Sequence, residues 1–341
     1  MMKTPAKLLL EWYAQNGRRL PWRFRGGAHP NPYAVFISEM MLQQTTVKTV
    51  IPYFERFMTR FPTINELAQA TEEEVLCYWQ GLGYYTRARS LWQTARVITE
   101  KYSGEFPHNI KEIASLKGFG RYSAASFAAL AYNLPATVID GNVQRIMCRM
   151  YHLTAPLEHI QNEIKAYAEV LTDTHNAADY ASAIMDLGAM ICTPKKPQCL
   201  LCPWHKICLS ANATDVELIP QKTKSEKKEI NGKVYILSSA DGKIYIRKRT
   251  EKGLLHGLYE FPWVEKGILV EGALDSAQSV THIFTHIKMT LEIMTMKVDE
   301  FSGDGMFVKP EDLDKYPLST LMQKVRRKAL KNYVPFNKIV E

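Results

Sequence analysis

The chain has 341 residues, 46% of them hydrophobic, enough to bury two or three cores, and no apolar run approaches the ~20 residues that a bilayer span requires. A soluble, multi-domain protein without membrane association is expected. Lysine and arginine total 43 against 35 acidic residues, a net charge of +8. That balance favours a polyanionic partner through counterion release, but many basic proteins bind nothing anionic, so charge alone does not identify nucleic acid.

Apolar positions recur at helical spacing over residues 7–16, 34–46, 48–61, 64–67, 72–82 and 88–102. They do so again over 110–116, 122–132, 140–151, 158–171 and 179–190, several of these segments being entered at Ser, Thr, Asp or Asn. Residues 1–213 therefore read as one all-α domain. The stretch 214–230 turns polar and lysine-rich (Lys222, Lys224, Lys227, Lys228) with little periodicity, as a linker does. Composition then shifts. Residues 233–240 and 243–249 alternate around Asp241-Gly242, a hairpin signal, and 282–296 alternates through Ile287, Met289, Leu291 and Ile293 as one long half-buried strand. A helix over 319–333 closes the chain, so residues 231–341 read as an α+β domain.

Four of the six cysteines, Cys192, Cys199, Cys202 and Cys208, stand as C-x6-C-x2-C-x5-C in a short loop-rich stretch. Thiolates at such close, irregular spacing suit a cubane [4Fe-4S] cluster, in which each of the four iron corners takes one sulfur from protein. Zinc is the alternative, although its structural sites usually show two separated cysteine pairs and only Cys199 and Cys202 form such a pair. Disulfides fit less well. The remaining Cys77 and Cys148 lie in apolar helical sequence and no secretory signal precedes them, so a reducing compartment is expected.

Between two helical segments stands Leu116-Lys117-Gly118-Phe119-Gly120-Arg121. Two glycines one residue apart permit a tight turn that aims the first N–H groups of the following helix outward, where the helix dipole helps them hold a DNA phosphate. An ordinary interhelical turn is the plain alternative. Phe119 between the glycines, Arg121 beside them and the downstream cysteines favour the phosphate contact.

A helix-hairpin-helix, then Asp140 twenty residues beyond Gly120, then the cysteine loop together resemble the pattern of the endonuclease III superfamily of DNA glycosylases. Three further stretches resemble its adenine DNA glycosylase branch. They are Ile37-Ser38-Glu39-Met40-Met41-Leu42-Gln43-Gln44-Thr45, Gly81-Leu82-Gly83-Tyr84-Tyr85 with Arg87 and Arg89, and Val138-Ile139-Asp140-Gly141-Asn142-Val143. Gly257-Leu258-Tyr259-Glu260-Phe261-Pro262 and Phe284-Thr285-His286 resemble that branch's carboxyl-terminal domain, a Nudix-like fold that reads 8-oxoguanine. The resemblance spans nearly the whole chain.

It implies base excision repair: hydrolysis of the N-glycosidic bond of adenine mispaired with 8-oxoguanine or guanine in double-stranded DNA. Adenine leaves deoxyribose poorly unless a ring nitrogen is protonated, so an acid that keeps its proton near neutrality is needed. Glu39, flanked by Phe36, Ile37, Met40 and Met41, is the candidate, since desolvation there raises a carboxyl pKa. A surface glutamate on an amphipathic helix is its plain alternative. Asp140 reads as a helix N-cap and, by resemblance, as the carboxylate that faces the positive charge developing on the sugar. Asn142 would bond Asp140 or the sugar phosphate. Bifunctional relatives carry a lysine where this chain has Tyr122, and a phenol cannot form the imine that leads to strand cleavage. A monofunctional enzyme that leaves an intact abasic site is expected.

An extruded base leaves a gap in the duplex. By resemblance Gln44 and Tyr84 wedge into it, Leu42 and Thr45 lie near the opposite base, Trp22 and Arg23 wall the adenine pocket, and Gly118, Gly120 and Arg121 hold phosphate. Phe284, Thr285 and His286 would contact 8-oxoguanine. The acidic metal-binding helix of a working Nudix hydrolase is missing after Phe261-Pro262, so this domain reads as a reader of the lesion rather than a second catalyst. Three positions depart from the family pattern: Lys117 replaces a proline in the hairpin, Thr285 a serine, and Ser182 a glutamine or glutamate that helps hold adenine. A monomer in the cytoplasm, nucleoid-associated in a bacterium, is expected. Two other readings stay open, a related glycosylase of different mismatch specificity and a non-catalytic iron-sulfur DNA-binding protein.

Overall fold

The computed structural model describes residues 3–23, 30–221, 226–298 and 300–330. The chain packs as two units, one of residues 1–69 and 90–224 and one of residues 70–89 and 225–341. Residues 70–89, read from sequence as part of the helical domain, thus group with the carboxyl-terminal residues.

The first unit is helical: α1 (Pro5–Asn16), α2 (Pro32–Leu42), α3 (Val47–Arg60), α4 (Ile64–Gln69), α6 (Tyr85–Tyr102, shared with the second unit), α7 (Ile110–Ser115), α8 (Arg121–Tyr132), α9 (Gly141–Met150), α10 (Gln161–Leu171) and α11 (Ala177–Met190). Caps explain several starts. Asn31 accepts from the Tyr33 N–H ahead of Pro32 at the first helical position, Thr46 from Thr49, and Asp140 from Val143. The helix expected over 34–46 stops at Leu42 because Gln44 turns left-handed, φ 60°, and Thr46 opens the next helix. One core joins α1, α9, α10 and α11 through residues such as Leu9, Val143, Met147, Ile164 and Leu187. Helix α2 is apolar nearly all round, with Phe36, Ile37, Met40 and Met41 fully buried. Burying each of these stabilises the unit by about 1.5–3 kcal/mol and leaves Glu39 one direction to face.

The second unit holds α5 (Glu72–Trp79), α12 (Thr320–Ala329) and one seven-stranded sheet. Its strands are β1 (Lys228–Ser238), β2 (Ile244–Lys248), β3 (Tyr259–Glu260), β4 (Trp263–Val264), β5 (Leu274–Ile283), β6 (Ile287–Lys297) and β7 (Gly305–Val308). They run β3-β2-β1-β6-β5, with β4 paired to β1 and β7 to β2; only the β1–β6 pairing is parallel, in register Val234 with Ile293. Alternation along β1 sends Ile230, Val234 and Ile236 to the face covered by Leu321, Met322 and Val325 of α12, and Tyr235 and Leu237 to a second cluster on the other face. The single strand expected over 282–296 is two strands. Phe284-Thr285-His286 forms the turn between β5 and β6, closed by the Phe284 N–H donating to the Ile287 carbonyl at 2.7 Å. Of the stretch expected as linker, β1 takes residues from Lys228 onward, while Lys222 and Lys224 lie outside the described residues, as do positions 331–333 of the last expected helix. No helix among the described residues is long and apolar enough to cross a membrane.

Candidate active site

A cavity of about 1080 Å³ opens in the helical unit between α2, α8, α9, α11 and the segment that follows α1. It brings together Trp22, Arg23, Glu39, Leu42, Thr45, Gly118, Gly120, Arg121, Tyr122, Asp140 and Asn142. Gln44 is exposed and is not among the lining residues, where the neighbouring Gln43 is found instead. Tyr84, Phe284, Thr285 and His286 belong to the second unit.

Glu39 projects from the polar edge of α2, half-buried, and accepts a hydrogen bond from the Ser126 hydroxyl of α8 at 2.7 Å. Burial raises its pKa, the Ser126 bond and the Arg23 guanidinium oppose that rise, and the negative charge of Asp140 adds to it. Asp140 is held differently. Its Oδ1 caps α9 by accepting from the Val143 N–H at 2.8 Å, and its Oδ2 accepts from the Asn142 amide at 2.9 Å. The Asn142 carbonyl oxygen in turn accepts from Arg145 at 2.9 Å, whose guanidinium also donates to the Gly188 and Cys192 carbonyls at 2.7 and 2.8 Å. Gly188 is required there, because a Cβ would stand 2.6 Å from the Asn142 Cβ and part α11 from α9. One carboxyl is thus poised to keep a proton and the other is oriented by two N–H donors.

Of the two hairpin glycines only Gly118 needs its lack of a side chain for backbone reasons, at φ 84°, and a Cβ there would meet Met40 Cε at 2.5 Å. Gly120 is the N-cap of α8, its N–H donating to the Ser123 hydroxyl at 2.7 Å. Phe119 is a core residue, buried and stacked on Phe36 at 5.5 Å, so it anchors the turn from inside. Tyr122 is 48% exposed and lines the cavity. Trp22 is buried, edge-on to Phe54 at 5.1 Å.

Sequence reasoning missed Ser126, Gln43, Arg18 and Asp186. Ser126 lies one helical turn from Tyr122 and shares its face, a signal that was available; Asp186 stands in the apolar run Ile184-Met185-Asp186-Leu187, where an isolated acid needs a partner. Ser182, one turn before Asp186, is buried and lines the cavity.

In the second unit Tyr84 is 44% exposed and its backbone is left-handed at φ 48°. The Arg87 guanidinium lies over its ring at 5.1 Å, and its hydroxyl meets that of Thr285 at 2.6 Å. Phe284 is half-buried against the sheet core, while Thr285 and His286 are exposed.

Cys192, Cys199, Cys202 and Cys208 line one small cavity of about 30 Å³ together with Arg149 and His205. No three His, Cys, Asp or Glu groups among the described residues are placed to hold a metal ion. Four cysteine sulfurs converging on one cavity make a soft donor set, and its chemistry suits an iron-sulfur cluster. Burial pushes the Cys202 thiol up to about 12, so such a donor set needs cationic centres to become thiolate. His205 Nδ1 is buried there without a hydrogen-bond partner among the described residues. Arg149, 2% exposed, braces the loop, donating to the Thr193, Pro194 and Ile219 carbonyls at 2.6, 3.0 and 3.0 Å.

Residues 37–169 match the family described as HhH-GPD superfamily base excision DNA repair protein, and residues 233–328 match the NUDIX domain. The chain is 35% identical over 308 residues to an adenine DNA glycosylase of Buchnera aphidicola subsp. Schizaphis graminum, covering 86% of this chain and 87% of that protein. It is 30% identical over 396 residues to the human adenine DNA glycosylase, covering 94% and 72%. Among solved structures, a thermostable thymine-DNA glycosylase superposes with a TM-score of 0.54 at 27% identity, over 60% of this chain and 94% of that one.

Proposed function

The chain belongs to the adenine DNA glycosylase family, and from that membership we propose that it hydrolyses the N-glycosidic bond of adenine mispaired with 8-oxoguanine or guanine in duplex DNA, leaving an abasic site. It is an enzyme of the DNA glycosylase class. The observation that carries the reading is that Glu39 and Asp140 face one cavity, the first with a raised pKa and the second fixed by N–H donors.

Glu39 gives its proton to N7 of the extruded adenine, and the C1′–N9 bond breaks with its electron pair leaving on the base. Asp140 faces the cationic sugar and stabilises it electrostatically. A water adds to C1′ and returns a proton to the Glu39 carboxylate, which restores the acid. Arg145 keeps Asn142 turned so that its amide donates to Asp140, which fixes the orientation of that carboxylate. Tyr122 borders the cavity with a hydroxyl and no amine, which supports a monofunctional reaction without an imine. Leu42, Thr45 and Trp22 shape the mouth and wall, and a phosphate is held at the start of α8 beside Arg121, the Gly120 N–H being taken by Ser123. Cys192, Cys199, Cys202 and Cys208 would hold a [4Fe-4S] cluster, whose contribution when bound is to cross-link their loop. Residues 284–286 read 8-oxoguanine. The enzyme acts as a monomer wherever DNA is kept, on the nucleoid in a bacterial cytoplasm.

Base release from duplexes carrying adenine opposite 8-oxoguanine, guanine or thymine tests this. Free adenine is expected from the first two, faster opposite 8-oxoguanine, with the strand intact until alkali is added. Release of a pyrimidine, or an abundant adduct trapped by borohydride, would contradict it.

A further inference from the structure

Asp186 is fully buried on α11 and does not itself line the active-site cavity. Both of its oxygens are engaged by the segment that follows α1. Oδ2 accepts from the Arg18 backbone N–H at 2.7 Å, and Oδ1 accepts from Arg18 Nε at 2.8 Å and from an Arg23 terminal nitrogen at 2.8 Å. The Arg18 and Arg23 side chains are only 24% and 11% exposed, and both reach the cavity wall. The segment carrying them has no regular structure between α1 and α2 over its described residues, so this carboxylate is a main attachment of Trp22 and Arg23 to the helical core.

Resting on the reading of Glu39 as the acid, we propose that Asp186 is a positioning residue that fixes Arg18 and Arg23 at the base pocket and cancels the guanidinium charge that would otherwise ionise Glu39. The charged groups that act on Glu39 are Arg23 from the irregular segment and Asp140 from the cap of α9, with Ser126 of α8 as its hydrogen-bond donor, and Tyr13 of α1 and Tyr122 of α8 line the same cavity. Arg18, Lys48, Arg121 and Asp179 border the same cavity further round. Arg23 is the cation that works against the proton on Glu39, and it is the one Asp186 holds. Two guanidinia stand against one buried carboxylate, so removing that carboxylate leaves both uncompensated next to a group that must stay neutral.

The pH dependence of single-turnover adenine release separates this from a purely structural anchor. The wild-type rate should fall as pH rises and Glu39 loses its proton. In Asp186→Asn, which keeps the shape and removes the charge, the alkaline limb should move down by about one pH unit, so that release is about ten-fold below wild type on that limb and close to it at acid pH. A loss equal at every pH would overturn the proposal. Should Asp186→Asn prove too unstable to assay, Arg23→Gln reports the same coupling from the other side: its limb should rise, and an unmoved limb overturns the proposal. A wild-type rate with no alkaline limb would instead refute Glu39 as the acid, and this inference with it.

Discussion

Two glutamates, one in each unit, show how the same side chain is put to opposite uses. Glu260 in the mixed unit is 2% exposed and surrounded by donors: Arg247 at 2.9 Å, Arg249 at 3.3 Å and the Trp263 indole N–H at 2.9 Å. Glu39 in the helical unit has, among the described residues, one side-chain donor, the Ser126 hydroxyl, and burial raises its pKa. A buried carboxyl encircled by guanidinia locks a sheet edge to its loop; one left short of donors holds a proton that it can give away. Asp140 lies between these extremes, with two N–H donors and an opening to the cavity.

That contrast can be broken at several points. After loss of the acid itself, the largest effect is expected for Asp140→Asn, which removes the charge facing the sugar: single-turnover adenine release should fall by about 10³-fold with little change in melting temperature. Glu260→Gln should do the reverse. It leaves Arg247 and Arg249 without their shared carboxylate, and because both are partly exposed we expect a loss of about 2–3 kcal/mol in denaturant unfolding, while molecules still folded continue to release adenine. Gly118→Ala forces a Cβ to within 2.9 Å of both Met40 Cε and Ser90 Cβ at a left-handed position, which should cost about 1–3 kcal/mol and weaken duplex binding measured by titration. The smallest change is expected for Thr285→Val or Tyr84→Phe. Each deletes one hydroxyl of a 2.6 Å contact, worth about 1 kcal/mol, and should reduce the preference for 8-oxoguanine over guanine several-fold; the double variant should lose little more than either single one.

Much of this was legible in the chain itself because the signals are local. The cysteine spacing, the Gly118-Phe119-Gly120 turn, the Asp140 cap and the apolar flanks of Glu39 each lie within one short window. What escaped depends on distant partners. Strands β3 and β4 are two residues each and exist only because Arg247 and Lys248 of β2, and Lys233 and Val234 of β1, lie alongside them. Strand β5 is mostly exposed and rich in Ser, Thr and Gln, so alternation is faint, and the clear alternation from Ile287 onward, extended backward to His282, concealed the turn at 284–286. The Phe119 ring points into the core rather than toward a partner, which two neighbouring aromatics, Phe36 and Phe127, decide and no spacing reveals. Asp186 was readable as an acid in an apolar run, but its partners lie more than 160 positions away.

The most direct test of the central idea, that a protonated Glu39 severs the base, is adenine release by Glu39→Gln compared with its affinity for the lesion duplex. Release should fall by more than about 10³-fold at every pH while affinity stays near wild type. Release by Glu39→Gln at the wild-type rate, with the wild-type pH profile, would contradict the account.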